Sequence, residues 1–160
     1  MWRKTNDGTT GYVSTTNPNT GAVTTSMEDN GGNSTVYTFP APNSYGQVFV
    51  TQVQYYQGLS TLLKTIQYCY NPTGTTCQSP VTLPITALTV TTTVGTLSRK
   101  SSYTYDKYGN TLTDAEYDFG ASSPTSTTTT VYGSWKWFNL RSGFLDHQQQ
   151  TMHDHTDEWH

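Results

Sequence analysis

The chain has 160 residues, a formal charge of −3 at neutral pH and only 12% charged residues. With so few cations it offers no basic surface to hold phosphates, which sets nucleic-acid binding aside. Removing the 12 tyrosines and adding the 13 glycines leaves an apolar fraction of about a third, against roughly 45–50% in ordinary domains, so any core is thin.

Length allows one domain. Threonine alone is about a fifth of the residues and tyrosine is abundant, both strand formers, while Leu, Glu and Lys are sparse. An all-β fold follows. The start, Met1-Trp-Arg-Lys-Thr-Asn-Asp-Gly, has two basic residues but no apolar run after them, so it is not a secretory signal peptide. No stretch approaches 18 apolar residues, so no membrane-spanning helix is expected. The Thr/Ser/Asn-rich, Lys-poor surface suits an extracellular or cell-surface protein, with the export signal on a part of a longer polypeptide and this chain beginning inside a repeat.

Residues 5 to 35 are dense in Thr, Asn and Gly and read as turns joined by short strands at best. Asn30-Gly-Gly-Asn33 is a turn signal leading into a strand over Ser34 to Phe39, stopped by Pro40 and Pro42. Asn33-Ser-Thr35 also matches a glycosylation acceptor, a pattern common by chance. Gln47 to Tyr56 and Thr61 to Tyr70 form a strand pair, with Leu62, Lys64, Ile66, Tyr68 and Tyr70 on one face.

Asn71-Pro-Thr-Gly74 is a turn flanked by the two cysteines, Cys69 and Cys77. Their spacing across a turn allows the approach a disulfide needs. Two free thiols, or half of a metal site with ligands from the distant tail, are the alternatives. Val81 to Val94 reads as a β-branched strand in which Val81, Leu83, Ile85 and Ala87 alternate on one face, and Pro84 argues for an edge or a bulge.

The stretch from Arg99 to Gly120 reads as a hairpin. Tyr103 and Tyr105 share one face; Ala115, Tyr117 and Phe119 share another alternating set, taken together as an aromatic inner face, with Asp114, Glu116 and Asp118 outside. Asp106 bonds the turn backbone, and Gly109 and Asn110 tolerate positive φ. A last strand spans Thr125 to Tyr132.

This central pattern, Tyr103, Tyr105, Asp106, Gly109, Asn110, Leu112 and Thr113, resembles the bacterial RHS or YD repeat, Tyr-x-Tyr-Asp-x-x-Gly followed by a short apolar residue and Thr. Asn17-Pro-Asn-Thr-Gly21-Ala-Val23-Thr24 is a weaker echo with no tyrosine pair before it. The likeness covers roughly residues 10 to 135. It implies antiparallel hairpin repeats forming an open curved sheet, part of a hollow shell that encloses or presents a toxin or mediates contact between cells. The partners implied are neighbouring repeats of the same parent chain.

The composition changes at Ser134, so the chain divides into a repeat-like segment, 1–133, and a His-rich, irregular tail, 134–160, read as a flexible terminus or a noncognate extension. The tail holds all four histidines; His153 and His155 are weak metal candidates, and no metal site or cofactor is assigned.

No catalytic residue is assigned either. The alternating carboxylates of 114–118 read as solvent-facing surface charge, no nucleophile elbow or phosphate-cradling loop occurs, and the histidines sit in the tail. Two functions remain: a non-catalytic structural segment of a large surface or secreted shell protein, and an extracellular carbohydrate-binding module in which exposed tyrosines beside Thr, Asn and Gln stack on sugars. Buried tyrosines favour the first, an exposed group of them the second.

Overall fold

The computed structural model describes residues 2–5 and 8–133, with side chains from residue 11 onward. Ten strands follow one another: β1 (Trp2–Thr5), β2 (Gly8–Thr16), β3 (Val23–Glu28), β4 (Ser34–Phe39), β5 (Gln52–Gln57), β6 (Thr61–Tyr70), β7 (Ala87–Val94), β8 (Leu97–Tyr105), β9 (Thr111–Tyr117) and β10 (Ser126–Thr129). Each pairs antiparallel with the next, so sequence order and spatial order coincide in one open sheet. The fold is all-β, with hairpin joined to hairpin. Because the strands run up and down, successive connections alternate between the two ends of the sheet.

Residues paired across neighbouring strands share a face, and the register separates two chemistries. On one face run Tyr37, Val53 and Ile66; Tyr70, Leu88, Tyr103 and Asp114; and Tyr68, Val90, Ser101 and Glu116. On the other, one row crosses seven strands as Thr24, Thr38, Gln52, Gln67, Thr91, Lys100 and Tyr117. The first face is aromatic and apolar, the second a lawn of hydroxyls and amides.

A single sheet has little inside. Among the described residues the only buried hydrophobic side chains are Val53 and Val81, at 4% and 1% exposure. The strand tyrosines 37, 55, 56, 68, 70, 103, 105 and 117 are half-buried among their neighbours.

Three sequence expectations change. Residues 8–28 hold two full strands, one of nine residues, rather than turns with strands at best. Threonine supplies strand propensity there without the apolar alternation that makes a strand easy to read. The strand expected from Val81 begins only at Ala87: residues 71–86 are an irregular connection, and Pro84 within it donates no ladder hydrogen bond.

The third correction concerns the central hairpin. Its faces are not aromatic against acidic. Tyr103 lies opposite Asp114 and Ser101 opposite Glu116, so both carboxylates share the face of Tyr103, whereas Tyr117 points to the other side with Lys100. A register shift between Thr104 and Tyr105, together with the length of the turn, sets this parity. One residue of offset exchanges every side chain between faces.

Candidate functional site

The repeat motif builds a compact turn. Asp106 N–H donates to Asn110 O at 2.9 Å, and Gly109 N–H to Asp106 O at 3.1 Å. The Asp106 carboxylate fills the inside: Oδ1 accepts from Tyr108 N at 2.8 Å and Asn110 N at 2.9 Å, and Oδ2 from Asn110 Nδ2 at 2.9 Å. Gly109 closes the turn at φ +86°, a conformation in which any Cβ is strained. Hydrogen bonds from the Asn110 amide and then from the backbone hold Asp106 below the usual carboxylate range.

The same turn occurs twice more. In Asp29-Asn-Gly-Gly32-Asn33, Oδ1 of Asp29 accepts from Gly31 N at 2.8 Å and Asn33 N at 2.9 Å, and Oδ2 from Asn33 Nδ2 at 3.2 Å. In Asn43-Ser-Tyr45-Gly46-Gln47, Oδ1 of Asn43 accepts from Tyr45 N at 2.9 Å and Gln47 N at 3.0 Å, while Asn43 Nδ2 donates to Gln47 Oε1 at 3.1 Å. All three share the backbone bonds from residue one to residue five and from residue four back to one. The signature is Asx-x-x-Gly-Asn/Gln. Neither of the two extra copies has a Tyr-x-Tyr before it, which is why the repeat reading missed them. The echo at Asn17 is a related six-residue turn in which Asn17 N donates to Ala22 O at 2.8 Å.

The other motif residues lie around this turn. Tyr103 and Tyr105 stack with centroids 6.5 Å apart and planes 21° off parallel. Tyr103 Oη donates to Glu116 Oε1 at 3.2 Å, and Ser101 Oγ to Glu116 Oε2 at 2.7 Å. Thr113 shares a 2.6 Å hydroxyl hydrogen bond with Thr104, and Leu112 O accepts from Thr130 N at 2.8 Å. Burial raises the phenols of Tyr103 and Tyr105 above their ordinary value. Asp114 Oδ1 is buried with no hydrogen-bond partner among the described residues.

Cys69 and Cys77 form a disulfide, Cα atoms 4.9 Å apart, resolving the alternatives the sequence left open. It closes the first part of the 71–86 connection, and Asn71 organises the rest. Asn71 Nδ2 donates to Gln78 Oε1 at 2.9 Å, Thr82 O at 3.1 Å and Pro84 O at 3.2 Å, and Asn71 Oδ1 accepts from Thr86 N at 2.8 Å. The connection is therefore a fixed platform at one end of the sheet.

Beside that platform lies a shallow, open depression of about 690 Å³. Tyr45 and Gln47 come from the β4–β5 turn, residues 83–85 from the platform, and Lys107 and Tyr108 from the β8–β9 turn. All three connections lie at the same end of the meander. Sequence reasoning missed it because its members, from Tyr45 to Gly109, are up to 64 residues apart, and only the strand count brings them together. Among the described residues no group of three or more His, Cys, Asp or Glu side chains could hold a metal. His153, His155 and the rest of 134–160 lie outside the described residues.

No protein-family model, curated protein or solved structure matches the chain.

Proposed function

We propose that this chain is a non-catalytic wall segment of a large bacterial RHS-type surface or secreted protein, a shell or scaffold for toxin delivery or contact between cells. One observation carries the reading: the Asx-x-x-Gly turn is used three times in a ten-stranded meander that, among the described residues, has two outer strands and no second layer. A sheet whose aromatic face holds only half-buried rings gains stability when another layer covers it, and open edges gain hydrogen bonds from further hairpins. The natural partners are thus neighbouring hairpins of a longer array. A disulfide fits the extracellular or cell-surface placement that this reading requires.

Light scattering on the purified full chain across a wide concentration range tests the proposal. Association that grows with concentration, and is suppressed when further repeats are appended at both ends, is expected. A compact monomer at every concentration overturns it.

A further inference from the structure

Hairpin turns are ordinarily polar at their tips, and one end of this sheet is not. The connections β5–β6, β7–β8 and β9–β10 lie opposite the disulfide-closed platform and next to one another along that end. Around them stand Leu59, Leu62, Leu63, Val94, Leu97 and Phe119, all between 47% and 71% exposed. They form one rim. Leu62 and Leu63 share a small hollow with Gly95 of the next turn, and Val94 and Leu97 are directly opposite one another across that turn. Gly120 N donates to Ser98 O at 2.8 Å, which sets Phe119 beside the start of β8.

Three cations stand behind the rim, on the two strands that carry most of its leucines: Lys64 on β6, and Arg99 and Lys100 on β8. Arg99 is exposed and lies two residues from Leu97, on the same face. Lys64 and Lys100 sit over the rings of Tyr55 and Tyr117, 4.1 and 3.8 Å from their centroids. The carboxylates of this end stand at its margins: Asp118 in the β9–β10 connection, and Glu28 and Asp29 at the β3–β4 turn. Both Asp29 oxygens are taken up by that turn.

We infer that this rim docks the protein on the surface of a phospholipid bilayer, its leucines and Phe119 entering the acyl boundary while Arg99 meets a lipid phosphate. The rim is the end of a single layer, so it has no walls to grip a partner's side chains, and it is far smaller than the roughly 20–30 residues a side of a stable protein interface. A bilayer asks for neither walls nor shape complementarity, because each apolar tip gains by leaving water on its own. The depth agrees as well. A strand rises about 3.3 Å per residue, so with Leu97 inserted about 5–10 Å, the depth of interfacial elements, Arg99 reaches the phosphate level. The two cation–ring pairs then lie at the headgroups, where amphipathic rings and long cationic side chains are both favoured.

The test is flotation of the full chain with vesicles of phosphatidylcholine alone and of phosphatidylcholine mixed with phosphatidylglycerol. Binding to both is expected, tighter to the mixture. Leu59→Ser and Leu97→Ser, with far-ultraviolet spectra like the parent's, should each weaken partitioning about tenfold, the loss of one apolar tip from the boundary. Arg99→Gln should weaken binding to the phosphatidylglycerol vesicles about fivefold and change binding to phosphatidylcholine little. Val48→Ser, exposed at the platform end, should change nothing. Failure of the parent chain to float with either vesicle overturns the assignment. So does binding that both leucine variants keep in full, which would place the contact elsewhere in the chain, or an equal loss from Val48→Ser. An oligomer that Leu97→Ser dissolves, in a chain that does not float, would make the rim a contact between copies and overturns it too.

Discussion

Tyr103 and Glu116 lie diagonally across β8 and β9 on one face, the phenol donating to the carboxylate at 3.2 Å while Ser101, directly opposite Glu116, donates to its second oxygen. Glu116 is therefore woven into the aromatic face, where it accepts from the Tyr103 hydroxyl.

Burial, more than the neighbouring Glu116 and Asp114 charges, raises the Tyr103 pKa above 10.0. The native state holds the protonated phenol, so its contribution is fully present below the unfolded value and is lost as pH rises through the higher folded one. Absorbance titration should show part of the tyrosines ionising later in the folded chain than in urea. Tyr103→Phe should remove one late-titrating phenol and cost about 1 kcal/mol or less for a half-exposed hydrogen bond. Superimposable folded and unfolded titrations would refute the account.

The turn carboxylates set the acid side. Hydrogen bonds from Asn110 lower Asp106, and those from Asn33 lower Asp29. Depressed folded values mean stability that is present above the ordinary 3.8 and lost as pH falls through the folded values. Asn43 performs the same task uncharged, so Asp106→Asn should keep the turn and remove its acid sensitivity, whereas Asp106→Ala should open it at every pH. Amide chemical shifts of Tyr108 and Asn110, followed from pH 6 to pH 2, distinguish the two; identical behaviour of both variants would contradict the role given to the side chain.

Gly109 tests the same turn through its backbone. A Cβ there would touch nothing within 4 Å, so the cost of Gly109→Ala is conformational alone. At φ +86° it should be about 1 to 2 kcal/mol, and Gly109→Asn should cost less because asparagine tolerates the left-handed region better. Urea unfolding of the three proteins gives the order directly.

The turn at Asp106 was legible because its chemistry is local: an Asx acceptor, a glycine and an amide within five residues. The copy at Asn43 uses the same chemistry but lacks the tyrosine pair and ends in Gln47, so the motif did not reveal it. The faces of β9 were misread because parity depends on a bulge at Thr104/Tyr105, which no periodicity announces. The platform was misread for a different reason. Val81, Leu83 and Ile85 alternate as in a strand, yet the chain there is held by Asn71, up to 13 residues away, and the connection is closed by a disulfide. Likewise the placing of Tyr45 and Tyr108 beside one depression is a product of topology, visible only once ten strands are counted in order.

The platform gives the last prediction. Cys69 and Cys77 are eight residues apart, and a loop of that size contributes about 2.5 kcal/mol in the chain-entropy account. Reduction should be felt locally, because the β6–β7 ladder from Thr65–Thr93 to Tyr70–Leu88 does not depend on the bond. The amides of Gln78 and Thr82, bonded to Tyr70 O and Gln78 Oε1, should exchange up to about 70-fold faster after treatment with a phosphine reductant, the factor equivalent to that free energy. Amides in the middle of β7 should be little changed. If the whole sheet loses protection together, the disulfide supports the fold and not just the platform. If nothing changes, the Asn71 network holds the platform unaided, and the floor of the depression at Leu83 and Ile85 keeps its shape in a reducing environment.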